Sequence, residues 1–196
     1  GSSWFYGHPE VARSLIELVI PDKANIFDFS SFNAYRTEFV TETNQKRRSD
    51  MVWQVGLKNN ETAFIMLLLE FQRNTNHWMA GRIAEYSILI LNDLQKTGKL
   101  DSSLTYPDIL PFVIYSGDRP WRAPNDMEQL YNPLPEEYAF LSDYRVRQKF
   151  ILIDEQHLPE NMIAGNTGIV ASFLRIVRAK TEEEVLRIAG DINEQW

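Results

Sequence analysis

The stretch DMVWQVGLKNNETAFIMLLLEFQ, residues 50–72, decides the fold. Apolar side chains recur at every second position from Met51 to Leu57, which is typical of a β-strand with a buried face. The polar run Lys58-Asn59-Asn60-Glu61 predicts a turn. The residues from Thr62 to Phe71 are nearly all apolar, which predicts a strand buried on both faces. The stretch is therefore predicted to form a β-hairpin.

The predicted hairpin brings two carboxylates together. With a turn centred on Asn59 and Asn60, Asp50 and Glu70 lie opposite each other or nearly so. Gln72 shares the face of Glu70 because side chains alternate along a strand. Two like charges about 4 Å apart repel by about 4 kcal/mol at a protein surface, and a bound dication would remove that cost. Oxygen ligands without nearby His or Cys favour Mg²⁺ or Mn²⁺ over zinc.

A purely structural interpretation of the same residues stays open. In that interpretation Glu70 marks the exposed end of a strand and Asp50 caps a turn. The pattern alone does not choose between the two interpretations, because strand register read from sequence is uncertain by a residue or two.

Helices and strands are predicted on both sides of the hairpin, which gives an α/β fold. A first helix begins at His8-Pro9-Glu10 and ends at Pro21, and Tyr35 to Val40 is a predicted first strand. A long helix from Asn76 to Lys96 follows the hairpin and stops at Gly98. Its predicted apolar stripe is Trp78, Met79, Ile83, Tyr86, Ile90 and Leu94. The remaining predicted elements are a strand at Ile109–Tyr115, a Pro-rich loop at 118–137, a strand at Phe150–Ile153, and helices at Gly168–Ala179 and Glu182–Ala189.

Composition excludes several classes of protein. The 196 residues suit one domain, or a domain with a small appendix. The absence of cysteine excludes disulfides, thiolate zinc sites and cysteine nucleophiles. No apolar run approaches the length of a membrane span and there is no signal-peptide pattern, so we expect no membrane association and a cytoplasmic location. The three histidines have no metal-ligand spacing and receive no role.

The charge distribution bears on nucleic-acid binding in two ways. A net charge of −7 argues against non-specific binding, which usually needs a basic surface. The run Lys46-Arg47-Arg48 nevertheless precedes Asp50, and Arg82 follows Glu70. Arg82 and Tyr86 lie one turn apart on the long helix, so they share a face that suits a phosphate, although a packed Tyr and a solvated Arg fit the spacing equally well.

These residues carry a resemblance to a known family. The order helix, strand, hairpin, helix, strand resembles the PD-(D/E)XK nuclease core, and within it the chain resembles the Rpn family of recombination-promoting nucleases, also called YhgA-like putative transposases. The matching pieces are His8-Pro9-Glu10-Val11-Ala12-Arg13, Arg48-Ser49-Asp50, Leu69-Glu70-Phe71-Gln72, Met79-Ala80-Gly81-Arg82 with Tyr86, and Leu110-Pro111 with Tyr115-Ser116-Gly117. The expected organisation is a nuclease-like domain at 4–153 with a helical C-terminal extension at 154–196 packed on it.

The resemblance implies a Mg²⁺- or Mn²⁺-dependent endonuclease that cleaves DNA in recombination, mobile-element or defence biology. It implies that Asp50 and Glu70 are metal ligands and that the carbonyl of Phe71 is a third. Gln72 stands where many members of the wider superfamily have Lys, so it can orient a water molecule but supplies no positive charge. Homo-oligomerisation is left open.

The expected DNA contacts, from the charge distribution and helical spacing, are Arg47, Arg48, Arg82 and Tyr86. Glu85 departs from the Arg expected before the Tyr, which removes a positive group from this helix.

Two rival functions remain. A binding or regulatory module that keeps the fold without activity is favoured by the acidic net charge, Gln72 and Glu85. A transposase with an RNase H-like core is disfavoured, because that core places its first acid on its first strand whereas Asp50 opens a hairpin after an earlier helix.

Overall fold

The fold is built on a mixed β-sheet. The computed structural model describes residues 5–35, 51–70, 75–100, 104–166 and 168–195, with side chains as far as residue 191. Its strands form one five-stranded sheet in the order β1-β2-β3-β4-β5. Strands β1 to β3 are antiparallel neighbours, and β4 and β5 continue the sheet parallel to β3. The strands are β1 (Phe27–Tyr35), β2 (Met51–Leu57), β3 (Thr62–Glu70), β4 (Asp108–Tyr115) and β5 (Ile151–Asp154).

Helices cover both faces of the sheet, which confirms the α/β fold class. The α-helices are α1 (Pro9–Val19), α2 (Met79–Lys96), α3 (Glu160–Ile163), α4 (Ile169–Arg178) and α5 (Glu182–Gln195). Short 3₁₀ helices span Ala24–Ile26, Met127–Leu130 and Glu136–Tyr144. Helices α1 and α4 pack on one face of the sheet, and α2 packs on the other. Among the described helices, none combines the length and the apolar character needed to cross a membrane.

Strand β3 lies at the centre of the sheet and is buried on both faces, as predicted. Its odd-numbered residues from Ala63 to Leu69 join the core cluster of α1 and α4. The even-numbered Phe64, Met66 and Leu68 join the cluster of α2. Because side chains alternate along a strand, Glu70 belongs to the α2 face.

The turn of the β2–β3 hairpin corrects the predicted register. Leu57 N–H donates to the carbonyl of Glu61 at 2.8 Å, and Asn60 N–H donates to the carbonyl of Leu57 at 3.0 Å. Asn60 has a φ of 69°, the left-handed conformation that closes a three-residue hairpin loop. The loop is therefore centred on Asn59, and Met51 pairs with Leu67 rather than with a residue near Leu69.

The predicted register is thus two positions off along β2, and a shift of two leaves each side chain on the same face. Asp50 lies outside the described residues, so the structure does not place it, but the register on which its predicted opposition to Glu70 rested is not the one that the pairing of Met51 with Leu67 shows.

The first strand also differs from the prediction. It spans Phe27–Tyr35 rather than Tyr35 to Val40, and residues 36–40 lie outside the described part of the chain. The ladder between β1 and β2 is irregular between Asp28 and Asn33, so the strand shows no clean alternation in the sequence. At this irregularity the Ser31 side chain bonds to β2, since its Oγ accepts a hydrogen bond from Gly56 N–H at 2.7 Å.

The long helix is confirmed, with one exception at its start. Helix α2 ends at Lys96, and Gly98 follows with a φ of 68°. The prediction that Trp78 belongs to the apolar stripe is wrong, because Trp78 is the N-cap residue and is 62% exposed. Its ring stands edge to face against His77 instead of reaching the core.

Helices α3 and α4 pack into the same core as the sheet. Val170, Ala171 and Leu174 of α4 share a buried cluster with α1 and β3. Helix α5 begins with a side-chain cap, in which Glu184 N–H donates to Thr181 Oγ1 at 3.1 Å. The helix runs to Gln195, six residues beyond the predicted end at Ala189. The expected division at 153/154 stays a prediction.

Candidate active site at the carboxyl edge of the sheet

Glu70 is a buried carboxylate at the end of an apolar strand. Only 2% of its surface is exposed, although the seven residues before it in β3 are all apolar. Burying a carboxylate costs several kcal/mol unless other groups or an ion compensate its charge. The interpretation that Glu70 marks an exposed strand end is therefore wrong, and its burial favours a specific role.

Three polar side chains follow one another across the parallel strands. Glu70 is paired with Tyr115, and Tyr115 is paired with Asp154. Paired residues of neighbouring strands face the same side, so the three lie in a row on the α2 face. With about 4.8 Å between strands, the α-carbons of Glu70 and Asp154 are about 10 Å apart. The carboxyl ends of parallel strands are the usual place for ligand sites in open α/β sheets.

Tyr115 is fully buried in the middle of this row. Burial raises the pKa of its phenol, and the negative charges of Asp154, Asp118 and Glu70 raise it further. Its ring packs edge to face against Trp121 at 5.2 Å. A side chain at Gly117 would come within 2.2 Å of the Tyr115 hydroxyl, so only glycine fits there. The Tyr-Ser-Gly motif therefore holds the phenol at the end of β4.

Asp154 orients a histidine that the sequence analysis left without a role. Its Oδ2 accepts a hydrogen bond from the backbone N–H of Trp121 at 3.0 Å, and its Oδ1 lies 2.9 Å from Nδ1 of His157. The His157 side chain is 32% exposed, whereas the carboxylate beneath it is largely buried. A carboxylate that fixes one imidazole nitrogen orients the other, as in many sites that bind or transfer protons. The signal in the sequence was the spacing Asp-x-x-His directly after a strand.

Glu155, the next residue, points to the opposite face. It is 1% exposed and accepts a hydrogen bond from the hydroxyl of Tyr6 at 3.0 Å. Burial and the neighbouring charge of Asp154 raise the pKa of Glu155 to about 7, against the lowering effect of the Tyr6 hydrogen bond. Burial, with the charge of Glu155, raises the pKa of Tyr6 as well. This pair ties the first residues of the chain to the end of β5.

The predicted contacts on α2 lie on the Glu70 side of the sheet. Tyr86 is buried in the cluster between α2 and the even-numbered residues of β3. Arg82 is half-buried one turn earlier, so it shares that side of the helix. Glu85 is exposed. The remaining predicted site residues lie outside the described part of the chain: Arg47, Arg48, Asp50, Phe71 and Gln72.

A metal centre is not complete within the described ranges. Among residues 5–35, 51–70, 75–100, 104–166 and 168–195, no group of three or more His, Asp or Glu side chains is placed to hold a metal ion. The described part supplies one of the predicted ligands, Glu70. The assignment of Asp50 and Phe71 as its partners stays a prediction.

Comparison with known proteins identifies the family. No curated protein and no solved structure matches the chain. The model of the family described as "Putative transposase, YhgA-like" matches residues 4–195, nearly the whole chain. This match confirms the resemblance to the YhgA-like putative transposases drawn from the sequence motifs. The chain belongs to the YhgA-like putative transposase family.

Proposed function

We propose that the chain is a divalent-metal-dependent endonuclease that cleaves DNA. Its family points to a role related to transposition or recombination, and phosphodiester cleavage is the chemistry such a role needs. The observation that carries the proposal is the burial of Glu70 at the end of β3, on the face that also holds Tyr86.

The order of elements supports a PD-(D/E)XK core. A helix, three antiparallel strands, a second helix and a parallel strand follow one another from α1 to β4. In that core the acidic ligands lie at the start of the second strand and the end of the third. Asp50 directly precedes β2, and Glu70 ends β3, so both occur at the expected places in the chain.

The chemistry of the donors fits a hard dication. Glu70, Asp50 and the carbonyl of Phe71 would hold Mg²⁺ or Mn²⁺ through oxygen atoms. A bound dication supplies Lewis-acid activation of the phosphodiester. Gln72 orients the attacking water through its amide.

The positive side chains have a separate task. Arg82 on α2, with Arg47 and Arg48, binds neighbouring phosphates and so positions the scissile bond. Guanidinium groups suit this task because they donate two parallel hydrogen bonds to one phosphate.

The experiment is cleavage of plasmid DNA with Mg²⁺ or Mn²⁺ by Glu70→Gln and by a matched control, Glu85→Gln, on the exposed side of α2. Glu70→Gln should lower the cleavage rate by about 10²-fold or more, since it removes a ligand charge, and should weaken Mn²⁺ binding measured by calorimetry. Glu85→Gln should leave both unchanged.

Equal cleavage by the wild type and Glu70→Gln would refute the assigned role. The second candidate function is a binding module, which the net charge of −7 and the neutral Gln72 favour. Mn²⁺ binding without cleavage of DNA or RNA would select that module. The RNase H-like alternative gains no support, because the acid on β1, Asp28, is exposed and accepts a hydrogen bond from Ser30.

A further inference from the structure

The segment 136–149 exposes a row of large apolar side chains. Their exposed fractions range from 43% to 83%. Monomeric proteins rarely leave contiguous apolar patches of this kind in water, and such patches mark interaction surfaces. The side chains are Tyr138, Phe140, Leu141, Tyr144 and Val146.

The helix within this segment has no core contacts of its own. The 3₁₀ helix Glu136–Tyr144 is nine residues long and buries none of its residues. Runs of 3₁₀ helix longer than three or four residues are uncommon, because their hydrogen-bond geometry is poor. A helix of this length with an uncovered apolar face is expected to gain stability from another surface packed on it.

The segment is held in place from beneath. The Arg145 guanidinium donates to the carbonyl of Asn132 at 2.8 Å and stacks over the ring of Tyr131 at 4.6 Å. The Tyr131 hydroxyl accepts a hydrogen bond from Val146 N–H at 3.1 Å. These contacts tie Arg145 and Val146 to Tyr131 and Asn132, while the side chains of the apolar row stay exposed. The surface is therefore preformed, which lowers the entropy cost of binding.

The charges along the segment are arranged so that two copies lying antiparallel would complement each other. Its first part carries Glu136, Glu137 and Asp143, and its last part carries Arg145, Arg147 and Lys149. The Lys149 ammonium lies 3.8 Å from Asp126 Oδ2 but its side chain is largely exposed. In a twofold contact two identical segments lie antiparallel, so the acidic part of one meets the basic part of the other. The apolar row lies between the two charged ends and would form the centre of the contact. We propose that residues 136–149 are the surface through which two copies of this chain form a twofold dimer.

A nucleic acid is the less suitable occupant. Its phosphates would approach the carboxylates at 136, 137 and 143, which lie among the exposed aromatic rings, and like charges repel. A second copy meets those carboxylates with its own Arg147 and Lys149.

The test measures mass by light scattering and sedimentation over a wide range of concentration. The wild type should be a dimer, and Phe140→Asp with Tyr144→Asp should raise the dissociation constant by about a hundredfold or more. Leu186→Asp, at an equally exposed apolar residue of α5, is the matched control and should stay a dimer. Because the two replaced side chains are exposed, the monomeric variant should keep its circular dichroism spectrum.

A charge exchange tests the antiparallel arrangement and does not depend on those variants. Glu136→Lys with Glu137→Lys should weaken self-association, and so should Arg147→Glu with Lys149→Glu. An equimolar mixture of the two variants should recover the dimer. A monomeric wild type at every concentration, or a dimer that the apolar and charge variants leave intact, would overturn the proposal. A monomer whose DNA affinity falls in Phe140→Asp would also overturn it and assign the surface to nucleic acid.

Discussion

Replacing Glu155 with Gln should make the stability of the fold less dependent on pH. Glu155 is buried against Tyr6, and its pKa is raised from 4.5 to about 7. Between these two values the folded state holds a proton that the unfolded state has released. Stability therefore falls as the pH rises from about 4.5 through about 7, because the folded state must then bury a charge.

The size of the effect follows from the shift. One pKa unit corresponds to about 1.4 kcal/mol, so the raised pKa costs the folded state about 3 kcal/mol above neutral pH. At about pH 5 the cost is less than about 1 kcal/mol. Gln keeps an oxygen that accepts the Tyr6 hydrogen bond but carries no charge. Relative to the wild type, the free energy of unfolding of Glu155→Gln should therefore be about 2–3 kcal/mol more favourable to the fold at about pH 8 than at about pH 5. Each kcal/mol corresponds to roughly 2–4 °C in melting temperature.

Urea unfolding of both proteins near pH 5 and near pH 8 measures this difference. Any cost of an imperfectly bonded amide enters equally at both pH values and cancels. Glu183→Gln, at an exposed position of α5, is the matched control for the loss of a carboxylate. An equal change for Glu155→Gln at the two pH values would refute the argument that burial raises this pKa.

Three further predictions concern the sheet edge and the core. Gly117→Ala should destabilise the fold by about 1–3 kcal/mol in urea, because its methyl group would meet a fully buried ring; Gly190→Ala, in open space within α5, should instead stabilise it by about 0.5–1 kcal/mol. Leu174→Ala should cost about 2–5 kcal/mol in a single unfolding transition, and a separate transition for the C-terminal helices would contradict one shared core. If the chain cleaves DNA as proposed, His157→Gln should raise KM about threefold or more with kcat unchanged, because it removes an imidazole that can donate a hydrogen bond to phosphate; an unchanged KM would make His157 only a structural residue.

The elements around the site could be predicted because their patterns are strong. Alternation from Met51 to Leu57 and the unbroken apolar run before Glu70 allow only a hairpin with a buried second strand. The register could not be predicted, because Lys58-Asn59-Asn60-Glu61 offers two asparagines that tolerate a left-handed conformation. The asparagine that adopts the left-handed conformation determines which residues of the two strands pair. Packing of the strands, and not the turn sequence, selects that asparagine.

Other features escaped prediction for a different reason. The edge strand β1 is half polar and its ladder is irregular, so it has no period to detect. The Asp154–His157 pair closes a turn. Its spacing is that of a hydrogen-bonded turn and not that of metal-ligating histidines, so a search for metal ligands does not detect it. The helix at Glu136–Tyr144 has apolar residues that join neither core cluster of the described residues, so the sequence resembles a loop.

The sharing of one core cluster by α1, β3 and α4 sets the order in which the chain can fold during synthesis. The α2 face of β3 is covered by a helix that begins only nine residues after Glu70. The other face is completed only when Leu174 has been synthesised, about a hundred residues later. Synthesis of that length takes about 5–20 s at ribosomal speeds. Until then α1 covers that face without α4, and apolar side chains of the central strand stay in contact with water. The nascent chain is therefore expected to need chaperone protection on one side of its sheet and not on the other.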